Sequence, residues 1–234
     1  MRLHRLRSVA LVAASALLLA GGFTACRADP AVAAYVDETR ITETEMDQAT
    51  AGIREVLAEG APQSSPEQIN QQLELVRESA LTLRIVTELA TSYARQQGTE
   101  IPAADPAAVA SRVGLAPDHP FVAVVAQYDA AVGALRQGLA PVAPSEADQR
   151  QLYDRLIQAG LPPQPFEVVA QQLTVDSVGA VVAERDLIRD LAADAQIQVN
   201  PRYRPVYRVP WQVAGMELGA LDVPLSDPAV VDLG

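Results

Sequence analysis

Between residues 65 and 98 the chain carries one uninterrupted helical stripe, in which Ile69, Leu73, Val76, Ala80, Leu83, Val86, Ala90 and Tyr93 recur at intervals of three or four. Ser65 stands where an N-cap is needed, Pro66 suits the first helical position, and Gly98 stops the run. The helix so defined has roughly 32 residues and a length of ~48 Å. No single neighbour can cover such a rod, so the other elements must be arranged along it as a spine. The spacing predicts a mostly α fold with concave flanks along the spine, unless the helices of residues 99–145 fill them.

Thr42 with Glu45 makes a capping box, and Met46, Ala49, Ile53, Val56 and Leu57 follow at helical spacing to Gly60. Asp105 and Pro106 start a short helix ending near Leu115. Asp118 and Pro120 start another that carries Phe121, Val124, Val125, Tyr128, Val132 and Leu135 to Gly138. Ser145 with Asp148 caps a helix holding Leu152, Tyr153, Leu156 and Ile157. After Pro162, Pro163 and Pro165, a final stripe runs from Phe166 to Ala195, with a break expected near Asp176 or Gly179. Ala33–Asp37 and Thr39–Thr42 read as short strands around a turn, and Ile197 and Val199 alternate with polar residues as a strand does. Two such strands are unstable alone in water, so Tyr35, Val36 and Ile41 are expected beside Ile197 and Val199. The segment 212–234, aromatic-free from Met216 onward, reads as an acidic, loosely ordered tail.

The charge balance narrows function. All 18 basic side chains are Arg, against 29 acids, for a net charge of −11. Such a chain cannot neutralise a run of phosphates, so nucleic acid is not an expected partner. One Cys and two His leave no expected metal site, cofactor or catalytic triad. His119 reads either as a base paired with Asp118 or as a solvated turn residue. The acids around Asp37–Glu38 and Glu43–Glu45 lack calcium-loop spacing, and Ser65 and Ser145 read as caps, not nucleophiles. Tyr203, Tyr207 and Trp211, interleaved with Arg202, Arg204 and Arg208, read either as an aromatic–Arg binding ledge or as a strand packed on the core.

Residues 1–25 read as a secretory signal: Arg2, His4, Arg5 and Arg7 precede an apolar run from Val9 to Ala20, too short to span a bilayer. Gly21–Cys26 is similar to a bacterial lipobox, with Phe23 where Leu is usual. Cys26 is therefore the candidate lipidation site, residues 26–32 the linker to the anchor, and the outer face of the cytoplasmic membrane the expected location. An acidic body will not hold an anionic surface by charge, so attachment falls to the acyl chains.

The opening Ala34-Tyr35-Val36-Asp37-Glu38-Thr39-Arg40-Ile41-Thr42-Glu43-Thr44-Glu45-Met46-Asp47 resembles that of SurA N-terminal-domain-like proteins, and Val199-Asn200-Pro201-Arg202-Tyr203 resembles the strand that closes this core in actinobacterial lipoproteins of the group. Arg204 stands where that group usually has Gly. The resemblance covers residues 33–211 and implies a helical chaperone-like core whose last strand returns to the first. Many relatives also carry a parvulin prolyl isomerase domain. Here about 45 helix-like residues without His separate the Tyr153 helix from Val199, too few for that fold. The expectation is a non-enzymatic, membrane-anchored protein that binds unfolded or extended polypeptides, or alternatively an adaptor that holds one folded partner.

Overall fold

The computed structural model describes residues 29–160, 164–213 and 216–226. Its elements are β1 (Val32–Val36), β2 (Thr39–Thr42), α1 (Glu43–Ala49), α2 (Ile53–Gly60), α3 (Pro66–Gln97), α4 (Pro106–Val113), α5 (Pro120–Arg136), α6 (Glu146–Gln158), α7 (Phe166–Ala170), α8 (Val175–Asp194), β3 (Ile197–Val199), β4 (Val206–Val213) and β5 (Met216–Pro224). The fold is mostly helical with two small antiparallel sheets.

The spine is α3. Ser65 and Gln68 form a reciprocal capping box at its start, and Gly98 ends it in the left-handed conformation, φ 65°. Its two halves have different surroundings. From Ala80 to Ala94 the helix supplies the main core through Ala80, Leu81, Ile85, Val86, Leu89 and Ala90. Before Ala80 only Ile69 is buried. After α3 the chain doubles back, with Ile101 and Pro102 lying against Thr87 and Thr91, so that α5 runs parallel to the spine. Arg84 donates to Gln127 at one level, and Ala94 meets Leu135 at the far end. α4 lies over α5 through Val109, Ala110, Val122, Val125 and Ala126. The 99–145 helices thus fill the flank of the C-terminal half of the spine and leave the N-terminal half to α2.

The first and third strands meet as the strand pattern predicts. The first sheet has order β2-β1-β3, with Val36 opposite Ile197, Tyr35 opposite Gln198 and Ala34 opposite Val199, while Ile41 pairs with Ala34 from the other side. Asp37 makes the hairpin turn at φ 51°, a region Asp tolerates. Its carboxylate accepts from the Gln196 amide at 2.9 Å, tying the turn to β3. β1 begins at Val32, which is 3% exposed and opposite Thr42, so the expected 26–32 linker gives way to strand at its last residue.

The expected loose tail is a correction. Residues 216–224 form β5, paired along its length with β4. Leu221, Val223 and Leu225 alternate into the core beside Tyr207 and Val209. One of the acids that make the tail look solvated, Asp222, receives Arg155 at 2.5 Å. The ordered core therefore continues past residue 211 to Ser226.

Two helices break where periodicity alone shows continuity. The 42–60 run divides into α1 and α2 at Gly52, φ 79°, a left-handed turn that redirects α2 along the start of α3 and leaves Val56 exposed. The last stripe breaks at residues 171–174, just ahead of the expected point, and Gly179 lies inside α8. Gly179 is the crossing point for the 139–145 linker, with Val142 donating to its carbonyl at 3.0 Å. A Cβ there would stand 3.0 Å from the Val142 carbonyl and 2.9 Å from Val175 Cγ2. Overpacking costs about 1–3 kcal/mol, more than the ~1 kcal/mol that Ala gains over Gly in a helix. Gly179→Ala should therefore lower the urea midpoint, and an unchanged midpoint would show that the linker yields freely.

Candidate functional site

Three polar clusters hold the elements in place. At the clasp, the Glu43 carboxylate at the start of α1 accepts from Arg77 on the spine at 2.8 Å, from the Tyr203 hydroxyl at 2.8 Å, and from Arg202. Arg77 also donates to Tyr203 at 2.7 Å and to Asp47 at 2.5 Å. Arg204, the departure from the expected Gly, donates its amide to Glu78 at 2.6 Å and its guanidinium to the Pro201 carbonyl, so the turn closes with a side chain there.

The second cluster joins α5, α8 and β4. Glu184, whose side chain is 5% exposed, receives both arms of Arg136 at 2.6 and 2.8 Å. It also accepts the Tyr207 hydroxyl at 2.5 Å, and that hydroxyl meets the Tyr128 hydroxyl at 2.7 Å. Burial, followed by the neighbouring Tyr128 and Glu184, pushes the Tyr207 phenol far above its usual range, so it stays protonated and donates. Sequence reasoning missed this group. Its signal is Glu184 itself, a carboxylate between Val181 and Ile188 on the apolar stripe of α8.

The third cluster fixes α6 to α8. Asp148 receives Arg185 at 2.7 Å and accepts from the amide and hydroxyl of Ser145, completing the expected capping box. Burial alone would raise the Asp148 pKa, but Arg185 and Ser145 outweigh it, and the net shift is downward. A carboxylate depressed by folding contributes stability above its unfolded pKa near 3.9, and that stability is lost as pH falls through the folded value. Acidification below about pH 4 should therefore lower the melting temperature of the wild type more steeply than that of Asp148→Asn. Parallel curves would remove Asp148 from the acid response.

The remaining candidates fall out as structural. His119, not Asp118, caps α5: its Nδ1 accepts from the Phe121 amide at 3.1 Å, and its buried Nε2 has no partner. Pro120 at the first helical position puts the cap on the residue just before it. Ser65 and Ser145 are caps, and Glu45 completes the Thr42 box. No group of three metal-ligating side chains occurs among the described residues. Tyr203, Tyr207 and Trp211 are all buried, with Trp211 donating to the Ser177 carbonyl at 3.1 Å, so the strand-packing alternative holds over the exposed ledge. Cys26 and the signal segment lie outside the described residues.

Two grooves of about 390 and 410 Å³ lie over the clasp sheet and between the C-terminal ends of α3 and α5. The first is lined by Asp29, Tyr35 and Asn200 among apolar side chains, the second by Tyr93, Gln97 and Gln137 beside Leu135 and Leu139. What the fold does present is a projecting arm. Residues 66–76, roughly 16 Å of helix, are accompanied by α2, which touches α3, buries Ile53 while α3 buries Ile69, and donates from Arg54 to Asn70 at 2.5 Å. Leu75 is 64% exposed on this arm and Val56 43%. The chain matches no known family model, no curated protein and no solved structure.

Proposed function

We propose that this is an extracytoplasmic, SurA-like protein, anchored through lipid at Cys26, that binds unfolded or extended polypeptide segments without catalysis and without a parvulin domain. The observation that supports the proposal is the lightly covered start of the spine, where α2 and α3 expose Val56 and Leu75 beside a core clasped by the β1–β3 pairing. No helix among the described residues is long and apolar enough to cross a membrane, and attachment rests on the acyl group. Binding should be weak, because an extended client loses its own freedom on docking. The covered C-terminal half favours the second reading, an adaptor holding one folded partner, because it leaves only one end of the spine open.

Light scattering separates the two. The protein at several-fold molar excess should suppress aggregation of a refolding model client without ATP, and no effect would sink the chaperone reading in favour of the adaptor. In the producing cell, the wild type should partition into detergent, whereas Cys26→Ser should be released or retain its signal. A mature chain beginning elsewhere and partitioning to water would remove the anchor.

A further inference from the structure

We propose that the groove over the clasp sheet is the face the protein sets against the bilayer, its partner being the anionic headgroup layer of the leaflet that holds the acyl chains; this rests on lipid attachment at Cys26, proposed above. Asp29 follows Cys26 by three residues, a reach of at most ~11 Å. Asp29 itself is fixed to the sheet. Its carboxylate accepts from the Ala31 amide at 2.9 Å and from Arg40 of β2 at 3.2 Å, and its carbonyl accepts from the Val32 amide at 3.0 Å. An anchored Cys26 therefore holds Asp29 and Pro30, which form part of the groove wall, within ~11 Å of the lipid surface. The body is far longer than its tether, since α3 alone spans ~48 Å, so little freedom remains to turn this face away.

Charge favours the same face. The two longest stretches of the sequence without Asp or Glu are residues 1–28 and 195–216; the first ends at Asp29, and the second supplies Gln198, Val199, Asn200 and Pro201 to the groove. The second also carries Arg202, Arg204 and Arg208, all exposed, in a chain of net charge −11. Among the described residues the Arg204 guanidinium donates to the Pro201 and Tyr203 carbonyls and meets no carboxylate, so its charge stays unneutralised. An anionic surface attracts this end and repels the acid-rich remainder, so charge orients the body while the acyl chains hold it. The lining fits a headgroup boundary better than a small solute. Asn200 donates to the Val32 carbonyl at 3.2 Å and accepts from the Arg202 amide at 3.2 Å, and Asp29 is engaged within the chain, so few polar atoms are left to orient a solute. Pro30, Pro201 and half-buried Tyr35 give the apolar and aromatic surface that suits the interface.

The chain has one Cys, which acylation consumes, so an added Cys is the one free thiol of the lipidated protein. Gln198→Cys and Pro201→Cys, exposed at the groove, are labelled with nitrobenzoxadiazole; Asp154→Cys and Glu167→Cys, exposed on α6 and α7, serve as the distant pair. α6 packs beside Gly219, which pairs with Trp211, five strand residues or ~17 Å along β4 from Val206 at the clasp end. The full lipidated protein is reconstituted into phosphatidylcholine–phosphatidylglycerol vesicles containing nitroxide-bearing lipid. Labels at 198 and 201 should be quenched at least about threefold more than those at 154 and 167, since the tether fixes which face is nearest the nitroxides. Equal quenching at all four would overturn the proposal, while membrane attachment, read separately by vesicle flotation, would still stand. If the labels at 198 and 201 are shielded only when a denatured client is added, the groove takes polypeptide and not the bilayer. Protein that carries no acyl group and does not float with the vesicles overturns both the anchor and the face it sets down. Melting temperatures of the labelled variants close to wild type attest to folding, and agreement between the two groove positions guards against a local effect of Pro201→Cys.

Discussion

Replacing Arg136 with Met should destabilise the folded chain by about 3–5 kcal/mol, the cost of stranding a buried charge. Met keeps the aliphatic bulk of the Arg stem and so keeps the site closed, but it strips Glu184 of its cation and leaves Tyr207 as the only donor to its carboxylate among the described residues. The Arg136 side chain is 47% exposed and that of Glu184 only 5%, so the stranded charge is the carboxylate. The half-exposed position admits some water and puts the expected loss at the lower end of that range. Adding Glu184→Leu to Arg136→Met should recover much of it, because an apolar pair of similar volume needs no partner, and Tyr207 retains Tyr128. Urea unfolding of both single variants and the double variant closes the cycle. An Arg136→Met loss below about 1 kcal/mol, the usual range of an exposed pair, would mean that the carboxylate is solvated and the cluster is not a keystone.

That cluster marks the limit of what the chain discloses before it is folded. Capping chemistry is local, so Thr42, Ser65 and Ser145 announce the starts of three helices and stand there in the structure. The clasp was legible because short strands such as Ala33–Asp37 and the alternating Ile197 and Val199 cannot stand alone in water and pair with each other. Arg136 and Glu184, by contrast, are 48 positions apart, and nothing in either neighbourhood identifies the other. The α1–α2 break was hidden because an interior Gly is ordinarily tolerated in a helix. Gly52 takes the left-handed turn because the arm must leave the body there. β5 was partly visible in the alternation Leu221, Val223, Leu225, which Asp222, Pro224 and the missing aromatics disguised.

The arm was hidden in the opposite sense. Ile69, Leu73 and Val76 continue the apolar stripe of α3 without a change of period, so the sequence does not distinguish the two halves of the spine and leaves open which flank the 99–145 helices fill. Whether a stripe is buried depends on which element reaches it, and among the described residues α2 packs on α3 where Arg54 meets Asn70. Beyond Arg77 the spine meets the clasp and then α5, α8 and the sheets. A well-packed base and a lightly covered extension are thus parts of the same helix.

A chain ending at residue 215 should lose cooperative folding. The shorter chain lacks Leu221, Val223 and Leu225, which are at most 2% exposed in the intact fold. Burying an aliphatic side chain of this size is worth about 1.5–3 kcal/mol, so the three together contribute on the order of 5–9 kcal/mol, as much as the whole net stability of many domains. The loss spreads further. β4 is left without its ladder partner β5, Trp211 and Leu152 lose Leu221 from their shared cluster, and the Leu225 amide no longer closes onto the Pro205 carbonyl at 3.0 Å beside the clasp. Arg155 on α6 loses Asp222 at the same time. Circular dichroism should therefore show the 215 chain melting broadly or not at all, with helices partly retained, and near-ultraviolet signal from Trp211 absent. A sharp transition within a few degrees of the full chain would mean that the hairpin is peripheral, and that residues beyond 212 are after all a tail the core can do without.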